Sequence, residues 1–265
     1  MRRRFGQGLR LGVAANAVAL VKTSRWGGPA TLLGEQAYSG SGGLRDALAA
    51  LLGPDYAGWP LTVVLADELV RMWQVMPPPQ CTRLADLQAA AALRFQRLYG
   101  DSAADWIVRA GWDAGRPFLA SALPRALLGA LEAAAGFHQM KLVEIAPQFV
   151  ALLNLCRGAL KPGAWFGTLH DNVLTLGARE EGCVVAVRAQ ALPDSPDANW
   201  LAEHLAREAL RLNLAAPERL QLWGALPSAW IGAGAVTRTN TTHLGPAGMA
   251  GWSEAAVLAA SGSAA

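Results

Sequence analysis

The chain has 265 residues, 52% of them hydrophobic and only 16% charged, with a formal net charge of +3. That is enough apolar material to pack one large unit or two small ones. Against so few charges a cluster of catalytic carboxylates would stand out, and none does. Nearly all the positive charge is arginine, and Arg2, Arg3, Arg4 and Arg10 make the one dense basic patch. It reads as a solvated tail rather than a nucleic-acid or lipid arm. Cys81, Cys156 and Cys183 show neither CxxC nor Cys/His ligand spacing, so reduced thiols are expected, with Cys156 in a core. No secretory pattern follows the arginines. No stretch approaches the roughly 18–20 apolar residues of a membrane span. The expectation is a soluble protein whose link to a membrane, if any, runs through a partner.

In chain order, residues 11–22 and 31–38 are apolar, partly alternating runs separated by Trp26-Gly27-Gly28-Pro29, a turn signal. Residues 39–43 read as a flexible joint. Leu44, Leu48, Leu51 and Leu52 then recur at helical spacing. Residues 61–65 predict a buried strand and 69–75 another. Pro77-Pro78-Pro79 breaks regular structure. Thr82 is placed to cap a helix whose apolar face is Leu84, Leu87, Ala91, Phe95 and Leu98, ending near Gly100. Residues 106–110 and 117–122 flank a Gly-Trp-Asp-Ala-Gly turn and predict a hairpin. Pro124 suits a helix start and Gly136 its exit. Residues 140–145 read as a strand, and Pro147 opens a helix carrying Phe149, Leu152, Leu153 and Cys156. Residues 158–163 form the boundary between halves, and from Thr237 onward Thr, Gly, Ala and Ser predict an irregular tail.

The order of these elements repeats. LGVAANAVALVKTSRWGGPATLLGEQAY, a helix and LTVVLAD in the first half correspond to WFGTLHDNVLTLGAREEGCVVAVRAQAL, a helix near 201–212 and LQLWGAL in the second. Each copy reads strand, turn, strand, turn, strand, helix, strand. Two such units facing each other make a cleft with the first turn of each pointing into it.

This plan is that of the actin and sugar-kinase superfamily. The stretch PFLASALPRALLGALEAAAGFHQMKLVEIAPQFVALLNLC resembles a segment of the PilM family, with Glu144, Ala151 and Leu152 in matching places. LTVVLADELVRMWQVMPPP resembles that family's arginine-bearing hairpin closing on proline, with Arg71 and Pro77 matching. GspL of type II secretion shares the plan but continues into a membrane span. The resemblance implies an α/β, actin-like (ribonuclease H-like) pair of duplicated subdomains around a cleft, with a small inserted subdomain. The expected division is a basic tail at 1–9, a first subdomain at 10–65, an insertion at 66–145, a second subdomain at 146–236 and an irregular tail at 237–265.

An ATP site of this fold needs backbone N–H groups in both first turns and carboxylates that hold magnesium. The first turn here is Ala14-Ala15-Asn16-Ala17, and the first acidic residue, Glu35, lies beyond it. The family's lysine falls near Ala19. In the second half the expected aspartate falls near Trp165-Phe166-Gly167, so Trp165 is expected where phosphates would sit. Were a nucleotide bound, Asn16, Gly167, Thr168 and Gly224 would hold it. Losing one charge-assisted contact costs about 1.5–3 kcal/mol, and several are missing, so the expectation is no cofactor, no metal and no catalysis. Asp67 and Asp171 are the carboxylates from elsewhere whose direction decides the point.

The four histidines, His138, His170, His204 and His243, lack ligand spacing. His170 beside Asp171 reads as a turn pair in solvent, and His204 as a helix-edge residue. Of the ten tryptophans, Trp112 and Trp26, both beside turns, are the candidate partner contacts.

The resemblance implies a non-catalytic scaffold, a pseudo-ATPase on the cytoplasmic face of a type IV pilus or type II secretion-like inner-membrane platform. Its partner would be the cytoplasmic tail of a PilN-like membrane protein, held in a groove between the actin-like body and the insertion. The alternatives are an ATP-binding actin-like ATPase with a weak, magnesium-poor site, or a filament-forming actin relative.

Overall fold

The structure, a computed structural model, describes residues 6–24, 29–180, 182–231, 239–245 and 251–261. Its first sheet starts as an antiparallel meander of β1 (Gln7–Val13), β2 (Ala17–Ser24) and β3 (Thr31–Ala37), with Leu11 opposite Leu20. Helix α1 (Gly40–Leu51) returns the chain, burying Leu44, Ala47 and Leu48 at helical spacing. It begins inside the stretch expected as a joint. β4 (Pro60–Leu65) then adds parallel to β1. Such a strand, covered on both faces, is continuously apolar, and Leu61, Val63, Val64 and Leu65 are all buried.

The chain next leaves the first sheet. β5 (Arg71–Val75), α2 (Leu84–Tyr99), β6 (Trp106–Ala110) and β7 (Phe118–Pro124) form the small inserted unit, with sheet order β5-β7-β6. Its own core joins Trp73, Phe95, Phe118 and Ala91. The Arg71 guanidinium lies 5.6 Å from the Tyr99 ring and 5.7 Å from the Trp106 ring, pinning the sheet to the helix. The N-cap of α2 is Arg83, without a side-chain cap bond, rather than Thr82, and Gly100 ends the helix at φ +74°. α3 (Arg125–Phe137) packs on α1 and leads to β8 (Lys141–Pro147), which pairs in parallel with β4. β8 is therefore the fifth strand of the first sheet, although residues 141–145 of it fall within the 66–145 insertion expected from sequence.

The second sheet repeats the first. β9 (Ala164–His170), β10 (Val173–Glu180) and β11 (Cys183–Ala191) form the meander. α5 (Ala198–Leu212), β12 (Arg219–Gly224) and β13 (Asn240–His243) complete the half. The strand orders β3-β2-β1-β4-β8 and β11-β10-β9-β12-β13 are equivalent. The stretch expected as an irregular tail thus supplies a sheet strand. It also supplies a helix, α6 (Glu254–Ala260), whose first turn is capped by the Ser253 hydroxyl.

Two helices cross between the halves. α4 (Gln148–Leu155) follows the first sheet and lies against β9 of the second. α6 follows the second sheet and lies against β1 and β2 of the first. One apolar cluster runs from Leu9, Leu11 and Val63 through Phe149 to Phe166 and Trp223, so the halves share a core. Among the described residues no helix is long and apolar enough to cross a membrane.

Candidate functional site

The place where the fold would cradle a ligand lies between the first turns of the two halves, and the alternation of β9 decides what faces it. Successive side chains of a strand point to opposite sides. Trp165 and Leu169 join the apolar cluster that α5 covers. Gly167 points the same way, since a Cβ there would meet Leu222 and Leu176. Phe166, Thr168 and His170 face the first half. Phe166 meets Phe149 of α4 with ring centroids 5.4 Å apart. Trp165 is thus on the far face of the strand from the cleft, not where phosphates would sit, and Gly167 shares that far face. The residue one step along, Phe166, does the space-filling.

Asp67 reaches this face from the first half. It opens a 3-10 turn directly after β4. Oδ1 accepts the Phe149 N–H at 2.9 Å in the first turn of α4, and Oδ2 accepts the Thr168 hydroxyl at 3.1 Å. Thr175 of β10 also favours its charged form. Burial raises its pKa from the ordinary 3.8 to about 6, against the opposing pull of those hydrogen bonds and of His170. A carboxylate placed this way ties the halves together and satisfies a helix N-terminus. Beside it, neither amide atom of the buried Gln148 has a hydrogen-bond partner among the described residues.

His170 is 4% exposed, so the solvent-facing turn pair expected from sequence is corrected. Its Nδ1 lies 3.3 Å from Glu254 Oε2 at the start of α6, at an angle poor for a hydrogen bond. The same oxygen accepts the Asp171 N–H at 3.2 Å. Contact with His170, then the Asp171 amide, hold the Glu254 carboxyl below its ordinary range against partial burial. Asp171 itself is exposed in the turn at φ +51°. His204 is likewise buried rather than at a helix edge, stacked on Trp200 with centroids 5.1 Å apart. Desolvation depresses its pKa.

The first turn is closed by Tyr38, whose hydroxyl donates to the Ala14 carbonyl and whose N–H donates to the Asn16 carbonyl. Asn16 is exposed there. Gly12, Ala14 and Ala19 form the bed on which α6 lies; a Cβ on Gly12 would come within 2.2 Å of the Ala255 carbonyl oxygen. The small residues of this hairpin therefore fit a helix. Gly224 ends β12 at φ +128°, where a Cβ would strike the Leu169 carbonyl oxygen at 2.1 Å. Thr168 and Gly224 lie on neighbouring strands of the second sheet, and Asn16 belongs to the first. Among the described residues no group of three or more His, Cys, Asp or Glu side chains is placed to hold a metal. Trp112 is half-buried against Phe118 at 5.6 Å; Trp26 lies outside the described residues.

A second feature sits beside the first half. β8 and β6 are each the outer strand of their sheet. Together they line a groove of about 260 Å³ whose walls include Ile107, Arg109, Leu123, Leu142, Val143 and Glu144. Val143 is 59% exposed. Outer strands offer unpaired backbone N–H and C=O groups to an added chain.

No protein-family model matches the chain, and no curated protein matches its sequence. Solved structures do match. The cytoplasmic domain of EpsL, an inner-membrane component of the type II secretion system of Vibrio cholerae, superposes with a TM-score of 0.61 at 12% identity, covering 96% of this chain and 94% of that one. A Bacteroides thetaiotaomicron protein of actin-like ATPase fold and unknown function gives 0.59 at 10% identity, covering 84% of each chain. The PilM–PilN type IV pilus biogenesis complex gives 0.55 at 13%, covering 89% of this chain and 88% of that one. The chain has the actin-like fold. Within that fold its structural likenesses include the EpsL domain and the PilM–PilN complex.

Proposed function

We propose that this protein is a non-catalytic, actin-like scaffold of a type IV pilus or type II secretion-like platform, working on the cytoplasmic side of an inner membrane. It captures the extended cytoplasmic tail of a membrane protein in the groove between β8 and the inserted unit. The observation that carries this reading is the groove itself: two outer strands, from two different sheets, face one channel of mixed character, with Ile107, Leu123, Leu142 and Val143 beside Arg109, Glu132 and Glu144. A tail laid there gains backbone hydrogen bonds from an edge and specificity from alternate side-chain pockets. Likeness to a secretion component and to a pilus complex with a named partner supports the same reading.

The pseudo-ATPase part of the proposal rests on Asp67. The carboxylate that reaches the second half is spent on Phe149 and Thr168, and Tyr38 closes the first turn. The test pairs two measurements. Pull-down with the cytoplasmic tails of candidate inner-membrane proteins should capture one tail, and Val143→Glu with Ile107→Glu should abolish capture. Titration with ATP and magnesium should show no micromolar binding. Failure of every tail to bind, or capture indifferent to the groove variants, would overturn the scaffold reading; tight magnesium–ATP binding would overturn the other.

A further inference from the structure

A third cavity, of about 310 Å³, opens where the inserted unit, the end of α4 and the β10–β11 hairpin meet. It shares no lining residue with the groove beside β8. Three arginines from three segments line it: Arg116 after β6, Arg157 after α4 and Arg179 on β10. Asp113 is the one acidic residue in the lining. It is already committed to Arg116 at 3.2 Å and to the N–H groups of Gly115 and Arg116 in its own loop. Neither Arg157 nor Arg179 makes an ion pair with any described residue. Arg179 is partly desolvated, which lowers its pKa, and it makes one long hydrogen bond of 3.4 Å to the Ala164 carbonyl.

Arg179 is half-buried and Arg157 exposed, and a half-buried cation without an acid is costly unless an anion completes it. A guanidinium offers several N–H donors in a planar fork matched to a carboxylate. Leu153, Leu160 and Val184 put apolar wall beside that charge. This combination suits a carboxylate carried next to an apolar side chain better than a bare, fully hydrated anion.

We propose that this cavity is a second recognition site, which seats an acidic side chain of an extended peptide between Arg157 and Arg179. An acid held there touches the end of α4 and the second-half hairpin, beside the β6–β7 turn. The site stands independently of the tail-binding groove.

The experiment is an NMR titration of the arginine Nε–Hε signals with the capped tripeptide acetyl-Leu-Asp-Leu-amide, assigned with R157K and R179K. Saturable shifts of both signals are expected. The matched acetyl-Leu-Asn-Leu-amide should produce none. R157Q combined with R179Q should weaken the aspartyl peptide about tenfold or more, whereas R116Q should change it less than about twofold. Equal response to the asparagine peptide, or no saturation at millimolar peptide, would overturn the site. Inorganic phosphate shifting the same signals at lower concentration than the peptide would overturn its assignment to a peptide carboxylate.

Discussion

The two crossing helices occupy equivalent places and pack in opposite ways. On the first sheet, α6 lies so close that Gly12 admits its backbone, with Ala14, Ala19, Ala255 and Ala256 filling the contact. On the second sheet, α4 stands off and sends Phe149 inward, over Gly177 and against Phe166. One contact is backbone on backbone; the other is a ring in a socket. The polar groups divide the same way. Those of the second sheet's cleft face, Thr168, Thr175 and His170, answer to Asp67 of the first half and Glu254 of α6. The corresponding face of the first sheet is small and apolar under the start of α6, and its polar side chain there, Arg10, donates to the Ala260 carbonyl at the end of that helix. A duplicated fold can keep its topology while its two inner faces diverge, one becoming a helix seat and the other a polar clasp.

The largest expected effect tests that contrast directly. Gly12→Val drives a branched side chain into the α6 backbone, where a Cβ alone would lie 2.2 Å from Ala255 O and 2.6 Å from Ala259 N. Backbone in a packed helix cannot retreat, so a loss of about 3 kcal/mol or more is expected, with α6 displaced. Gly177→Ala meets the Phe149 ring at 2.4 Å, but a ring edge can tilt aside. About 1–2 kcal/mol is expected there. Equilibrium denaturation of the two variants decides it, and equal losses would erase the distinction between the two seats.

Asp67 comes next. Asp67→Ala strands the Phe149 amide and the Thr168 hydroxyl in a buried interface, and about 2–3 kcal/mol should be lost. The pH dependence has a definite sign. The folded-state pKa, about 6, lies above the ordinary 3.8, so the folded protein binds this proton more tightly than the unfolded chain. Stability from this group falls as pH rises from about 4 to 6 and is flat above, on the order of 3 kcal/mol across the window. Glu254 and His204 act oppositely. The Glu254 contribution, from a depressed pKa, is lost as pH falls through its folded value. The His204 contribution is lost as pH falls below its ordinary 6.5. Subtracting the Asp67→Asn profile from that of the native protein isolates the Asp67 component. A difference that rises with pH would refute the assignment.

The order of elements made the actin-like plan legible, because apolar strand runs, Gly/Pro turns and a leucine-spaced helix recur in the same sequence in both halves. What escaped has physical causes. β8 was legible as a strand at 140–145, but not its sheet, because it returns after the whole inserted unit to pair in parallel with β4. β13 is a short polar stretch, Asn-Thr-Thr-His, held by its register with β12. α6 sits in a Gly- and Ser-rich region, though Ser253, Glu254 and the alanines after it carry a capped-helix signal in so short a span. At β9 the error is one of parity: Trp165 and Gly167 were read as cleft residues but lie on the far face, while Thr168, read the same way, does face the first half. Asp67 was visible as a carboxylate, but only the tertiary contact with Thr168 reveals that it is spent.

The smallest expected effect concerns Asn16, the one polar side chain in the first turn. If that turn still served as a ligand loop, its side chain would matter more than its backbone. The structure gives the work to the backbone: Tyr38 N–H donates to the Asn16 carbonyl, and Ala14 N–H donates to Ala17. The side chain is exposed. Asn16→Ala should therefore change stability by less than about 0.5 kcal/mol. Tyr38→Phe, which removes the hydroxyl contact to Ala14, should cost about 1 kcal/mol. Thermal unfolding of both variants gives the ranking. An Asn16→Ala loss exceeding that of Tyr38→Phe would mean that the turn is held by its side chain after all, and that the first half retains a polar role that the comparison of the two inner faces denies it.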